Sequence, residues 1–255
     1  EALDGGLPLA FLERARARRA LSVVDVHRAA ARIAAARVLL QAHGDLHDLA
    51  TLDRFQAVLV HERDGADAGI HALQTLLERL ERQGLHHQAS RVRHNLSLSL
   101  FRQRRFLEVV PLLTAARDAP EHHTGPDLRL LGTSLLGSTW LAIGDQARAR
   151  FTWMAMLQTA AQYEAWSFHV EALYHLANLA MEQGELDEAD RLLERAERMA
   201  RSSGDRCATG LLRSMLLCRQ GQHAQALALL DGLDISPGFH PSWLARRALA
   251  LLGLE

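Results

Sequence analysis

Fourteen histidines are the most obvious chemical resource of this 255-residue sequence. Imidazole binds metals and carries protons near neutral pH. The pairs His86-His87 and His122-His123, and the four-residue spacing of His43 and His47, are therefore the first places to look for chemistry. Two histidines four apart share a zinc ion only on unbroken helix, where both rings face one way. Gly44 falls between His43 and His47, no third ligand follows at a matching interval, and His122-His123 lies in a loop flanked by Pro120 and Pro126. These histidines read as surface and loop residues, with no metal and no cofactor expected. Cys207 and Cys218 read as packing or turn residues. No nucleophile elbow, phosphate loop or zinc-protease helix is present. No catalytic residue is assigned, and the segment is expected not to be an enzyme.

Arginine is the second resource. All 29 basic residues are Arg, against 30 acidic ones, for a formal charge of −1. The clusters "RARARR" (14–19) and "RQRR" (102–105) lack the sustained basic face and stacking aromatics that a phosphate backbone requires, and Glu13 and Asp25 moderate the first. Both clusters are expected to be solvated or paired within the chain. Direct nucleic-acid binding is not expected, and near-neutrality gives no general attraction to anionic membranes. No run of about 18 apolar residues points to a span, and no signal peptide is visible. With two cysteines and no disulfide framework, the sequence fits a reducing cytoplasm. It begins with Glu1 rather than Met and is expected to be a piece of a longer protein.

The elements that position these residues are helical almost throughout. Apolar residues recur at three- and four-residue spacing, strand-like alternation is absent, and the six prolines fall at expected loops or early helical turns. The fold class is all-α. Five stretches share one frame: "MEQGELDEADRLLERA" (181–196), "LAIGDQARARFTWMAM" (141–156), "CRQGQHAQALALLDGL" (218–233), "FRQRRFLEVVPLLTAA" (101–116) and, more weakly, "RDGADAGIHALQTLLERL" (63–80). Their spacing of roughly 36–40 residues marks a repeat array. Each unit reads as helix, short turn, helix. Gly144, Gly184 and Gly221 sit where the first helix must end in a left-handed residue, while Arg104 takes that place in one unit. Ala149, Ala189 and Ala226 fall where helices cross closely; Trp153, Leu193 and Leu230, one turn on, fill the groove between neighbours.

"ALYHLANLAMEQGELDEADRLLERAERMA" resembles a tetratricopeptide repeat (TPR), with Leu173, Leu176, Ala177, Ala180, Gly184, Leu186, Ala189, Leu193 and Ala196 in the family's signature positions. "LLGSTWLAIGDQARA" is similar, through Leu136, Gly137, Trp140, Gly144 and Ala149. The resemblance implies a right-handed superhelix of stacked antiparallel helix pairs, a TPR-like α-solenoid. On this reading residues 1–255 form one array: divergent helices over 1–63, recognisable units over 64–235, and a capping helix over 239–253. In the unit at 205–235, Arg213 intrudes at an expected apolar position. The phrases "MARSSGDRCATGLL" and "TAAQYEAWSFHVEALYHLA" read as long helices joining units beyond the usual repeat of about 34 residues. That lengthening resembles the superhelical sensor region of large bacterial maltose-regulator-type transcription activators.

The family resemblance also implies a ligand groove lined by the first helix of each pair. Carried onto this sequence, its positions are Tyr174 and Asn178, His94 and Leu98, Ser134 and Ser138, and Leu211 and Met215, with Arg91 and Glu171 a turn earlier. An Asn amide such as that of Asn178 donates to and accepts from a peptide backbone at once, and Arg91 with His94 suits a carboxylate or phosphate end. The function implied is a non-enzymatic recognition module for a peptide, partner protein or small effector, within a bacterial signalling or transcription-regulatory protein. The alternatives are a regulatory segment of a larger cyclase or kinase and a pure assembly scaffold. Homo-oligomerisation is left open.

Overall fold

A computed structural model of the chain describes residues 6–22, 25–43, 46–120, 124–235 and 240–253. Gly44 and the pair His122-His123 lie outside the described residues. Among the described residues there are thirteen helices and no strand. They are α1 (Gly6–Ser22), α2 (Val26–His43), α3 (Leu46–Asp64), α4 (Ala66–Arg82), α5 (His86–Arg102), α6 (Phe106–Asp118), α7 (Pro126–Ile143), α8 (Gln146–Gln162), α9 (Trp166–Glu182), α10 (Leu186–Met199), α11 (Ser203–Arg219), α12 (His223–Asp231) and α13 (His240–Leu252). None of these helices is long and apolar enough to cross a membrane. The chain divides into two compact units, Glu1–Gly132 and Thr133–Glu255.

In the first unit each helix from α1 to α5 packs on its successor, and α3 also touches α1 and α5. Short connections between packed neighbours make the pairs antiparallel. Small residues let α1 and α2 approach: Ala10, Ala17 and Ala20 meet Ala29, Ile33, Ala36 and Leu40 in one buried cluster with Leu52 and Phe55. Leu73, Leu80, Leu96, Leu100, Val109 and Leu113 are each no more than 2% exposed, and they carry the core onward through α4, α5 and α6. Arg14 and Arg16 of "RARARR" are paired within the chain. Arg14 bonds Asp48, and Arg16 and Arg32 both bond the buried carboxylate of Glu13, at 2.6 and 2.9 Å.

The second unit repeats one construction. Ala149, Ala189 and Ala226 are at most 1% exposed, as are Trp153, Leu193 and Leu230 one turn on. A Cβ on Gly137 would come within 2.3 Å of the Trp153 indole nitrogen, so glycine is what lets α7 lie against that ring. Gly144, Gly184 and Gly221 hold φ of 93°, 78° and 75°. After each, the next residue's N–H donates back into the finished helix, as Glu185 does to the Ala180 carbonyl at 2.9 Å. The same bond closes α5 and α8, yet the left-handed residues there are Arg104 (φ 59°) and Glu164 (φ 53°).

That turn corrects one expectation. "TAAQYEAWSFHVEALYHLA" is not a continuous helix, because α8 ends at Gln162 and α9 begins at Trp166. "MARSSGDRCATGLL" is broken too. Ser202 caps α11 by accepting from the Asp205 N–H at 3.0 Å, while the Asp205 carboxylate accepts from the Ser202 N–H at 3.2 Å. Arg213 is not an intrusion either: it clamps Glu197 with two bonds of 3.0 and 2.9 Å and also bonds Asp190, tying α11 to α10. These carboxylates raise its pKa further. The last helix, α13, turns Trp243 and Ala250 inward and leaves Leu244 and Leu251 exposed. The Trp243 indole N–H donates to the Leu230 carbonyl at 2.8 Å.

Candidate recognition faces

The first helices of the pairs carry the candidate groove residues, and the structure sorts those residues into separate places. On α9, the spacing of Ser167, Val170, Glu171, Tyr174 and His175 puts all five on the wall of one cleft of about 370 Å³. Gly204, Asp205, Ala208 and Thr209 of α11 form the facing wall. Ser134 of α7 donates its hydroxyl to Glu171 at 2.5 Å, and His175 Nε2 stands 3.8 Å from the same oxygen. Burial pushes the Glu171 carboxyl up, but the neighbouring His175 and Ser134 outweigh it, and the group is held below its ordinary range. The cleft therefore presents a carboxylate that stays charged at neutral pH, beside a second carboxylate at Asp205.

Aromatic contacts fix this wall. The His175 imidazole stacks on buried Trp153, with centroids 4.7 Å apart and planes within 3°, and meets Tyr174 edge-on at 5.4 Å. Asn178, one turn further along α9, is half-buried and donates to Glu182 at 3.1 Å, so its amide is held on the helix surface. Ser138 of α7 is half-buried. Met215 lies elsewhere, in a cleft of about 320 Å³ with Cys218, Arg219 and Arg246. Leu211 is 3% exposed, inside the core with Cys207 and Leu230. Burial raises the Cys218 thiol, which disfavours the reactive thiolate.

Arg91, His94 and Leu98 follow one another on α5 in the first unit. His94 is half-buried, its Nδ1 meets no acceptor, and burial holds its pKa below the ordinary histidine value. Leu98 is half-buried. Arg91 alone of the three opens onto a large pocket of about 710 Å³, shared with α1 and α3. Sequence reasoning missed His175, Asp205, Arg18 and Arg54. The Glu171–His175 interval of four was a legible signal. Arg54, a cation in mid-helix close to buried Leu52 and Phe55 of α3, was another.

No family model matches the sequence, and no curated protein matches it. Solved structures do match. The Pseudomonas aeruginosa pilF protein aligns with a TM-score of 0.63 at 14% identity, covering 97% of this chain and 99% of that one. A Podosopora anserina kinesin light chain protein with TPR-like repeats aligns at 0.56 and 15% identity, over 73% of this chain and 92% of that one. The fold is TPR-like. A Rap protein solved in complex with Competence and Sporulation Factor gives 0.63 at 13% identity, covering 98% of this chain and 74% of that one.

Proposed function

We propose that this TPR-like chain is a recognition module without catalytic activity, and that the α9–α11 cleft of its second unit binds an extended peptide or a protruding segment of a partner protein. The observation carrying this reading is the convergence of Glu171, Tyr174, His175 and Asp205 on one open cleft, with Ser134 fixing Glu171 and Asn178 next along the same helix. Two carboxylates on an otherwise mixed polar and apolar wall suit a donor-bearing side chain, Arg or Lys, of the incoming segment. Asn178 suits its backbone. The Rap structure, solved with its factor, is a precedent on a similar fold.

The same proposal extends to context and organisation. The repeat spacing of roughly 36–40 residues, longer than the usual repeat of about 34, fits the sensor region of a bacterial signalling or transcription-regulatory protein working in the cytoplasm, with 1–63 as divergent helices, 64–235 as repeat units and 239–253 as a cap. The test is a selection of random peptides displayed on phage against the purified chain, followed by calorimetry of the winners with Glu171→Gln and Asn178→Ala. Enrichment of basic residues and losses of about tenfold or more, roughly 1.4 kcal/mol, are expected. A selection that enriches nothing, or winners indifferent to both substitutions, would overturn the reading.

A further inference from the structure

The first unit holds a pocket whose charge is unbalanced. Four arginines line it, Arg14, Arg18, Arg54 and Arg91, against one acid, Asp48, which Arg14 already engages. Among the described residues Arg18, Arg54 and Arg91 have no carboxylate partner. Arg91 bonds only the His87 ring, at 3.3 Å. Arg54 is the most constrained of the three: its Nε is buried and meets no acceptor on the protein, and its guanidinium lies 5.1 Å from the centre of the Phe55 ring. Burial first, then the charges of Arg91 and Arg18, press its pKa down to about 10. Crowding like charges around a half-buried cation costs stability in the empty protein.

We propose that this pocket is a binding site for a phosphate-bearing small molecule with at least two negative charges. Three uncompensated guanidinium groups from three helices match the charge and the several acceptor oxygens of a phosphate or diphosphate, whereas one carboxylate answers only one of them. The volume of about 710 Å³ suits a ligand larger than the bare anion. Leu21, Phe55 and Val58 line the same pocket and give the ligand's organic part an apolar shoulder. A nucleic-acid backbone is disfavoured because the neighbouring cations that would extend a basic track are spent: Arg14 on Asp48, and Arg16 and Arg32 on Glu13. The inference goes beyond the peptide cleft, which lies in the other unit, and the two fail separately.

The experiment is calorimetric titration of the whole chain with sodium pyrophosphate as the probe, with a hexaglutamate peptide and a short single-stranded oligonucleotide in parallel. One pyrophosphate per chain is expected, weakened at least tenfold by Arg18→Gln and by Arg91→Gln, and unchanged by Asn178→Ala and by Arg191→Gln, an exposed arginine of α10 paired with Glu188. Arg54→Met should abolish binding and also raise the melting temperature of the empty protein, which loss of a merely structural arginine would lower. The proposal fails if pyrophosphate gives no saturable heat or if Arg18→Gln and Arg91→Gln leave it unaltered. It fails equally if the peptide or the oligonucleotide binds as tightly as pyrophosphate.

Discussion

The two units present opposite chemistry from equivalent helices. In the first, α1, α3 and α5 surround a pocket with Arg18, Arg54 and Arg91. In the second, α9 and α11 surround a cleft with Glu171 and Asp205. Beneath these faces the packing is of one kind, with small residues at crossings and large ones a turn away: Ala149 and Trp153, Ala189 and Leu193, Val109 and Leu113. The contrast teaches that the repeat constrains positions facing the next helix and leaves those facing the groove to vary. The sign of the charge is thus independent of the frame that carries it.

The strongest way to break this contrast is to damage the frame under one face only. Trp153→Ala removes a fully buried ring and should cost the second unit about 3–5 kcal/mol. Trp140, Trp166 and Trp243 then report the loss as a lower urea midpoint, since every Trp and Tyr of the chain lies beyond residue 132. Pyrophosphate binding by the first unit should survive unchanged at temperatures where the variant is folded. A loss of that binding would show that the faces are not independent.

Smaller effects should come from the turns. Gly184→Ala forces a Cβ into φ 78° and should cost about 1 kcal/mol. Arg104→Gly relieves a non-glycine residue at φ 59° and should gain up to about 1 kcal/mol, less the entropy of a looser unfolded chain. Denaturant midpoints by circular dichroism check both, and two changes of the same sign would refute the equivalence of these turns.

The smallest effects are in pH dependence. Glu171 has a depressed pKa in the fold, so its contribution is complete above its unfolded value near 4.5 and is lost as pH falls through the folded one. His94 is also depressed, by burial, so its contribution is complete above 6.5 and shrinks as pH drops below that. Glu171→Gln should flatten the fluorescence-detected stability profile of the second unit below about pH 4.5. Proton NMR of the His94 ring should titrate below 6.5.

Much of the frame was legible because packing repeats. Gly184, Ala189 and Leu193 are spaced by what a helix pair requires, and each falls where that spacing puts it. The exceptions are side chains whose role depends on a distant partner. Arg213 looked misplaced until Glu197 and Asp190 stood beside it. Glu164 looked helical because glutamate is a good helix former, and only the bond closing behind it reveals a left-handed turn. The groove was legible as a row on first helices but not as a site. Whether Arg91 meets Arg54, or Leu211 turns inward, depends on helix rotation, which a repeat frame fixes only to within a residue. The rotation of the last helix is likewise hidden from the sequence, and it leaves Leu244 and Leu251 exposed.

The Ser202–Asp205 box has one more implication. Asp205 holds the start of α11 and also borders the α9–α11 cleft. Any donor arriving there competes for an oxygen that the helix is already using. Occupancy would then be written into the Ser202 and Asp205 amides, the two that the box protects, whose hydrogen exchange would quicken as the guest takes hold. The module would signal by loosening one knot rather than by tightening the whole.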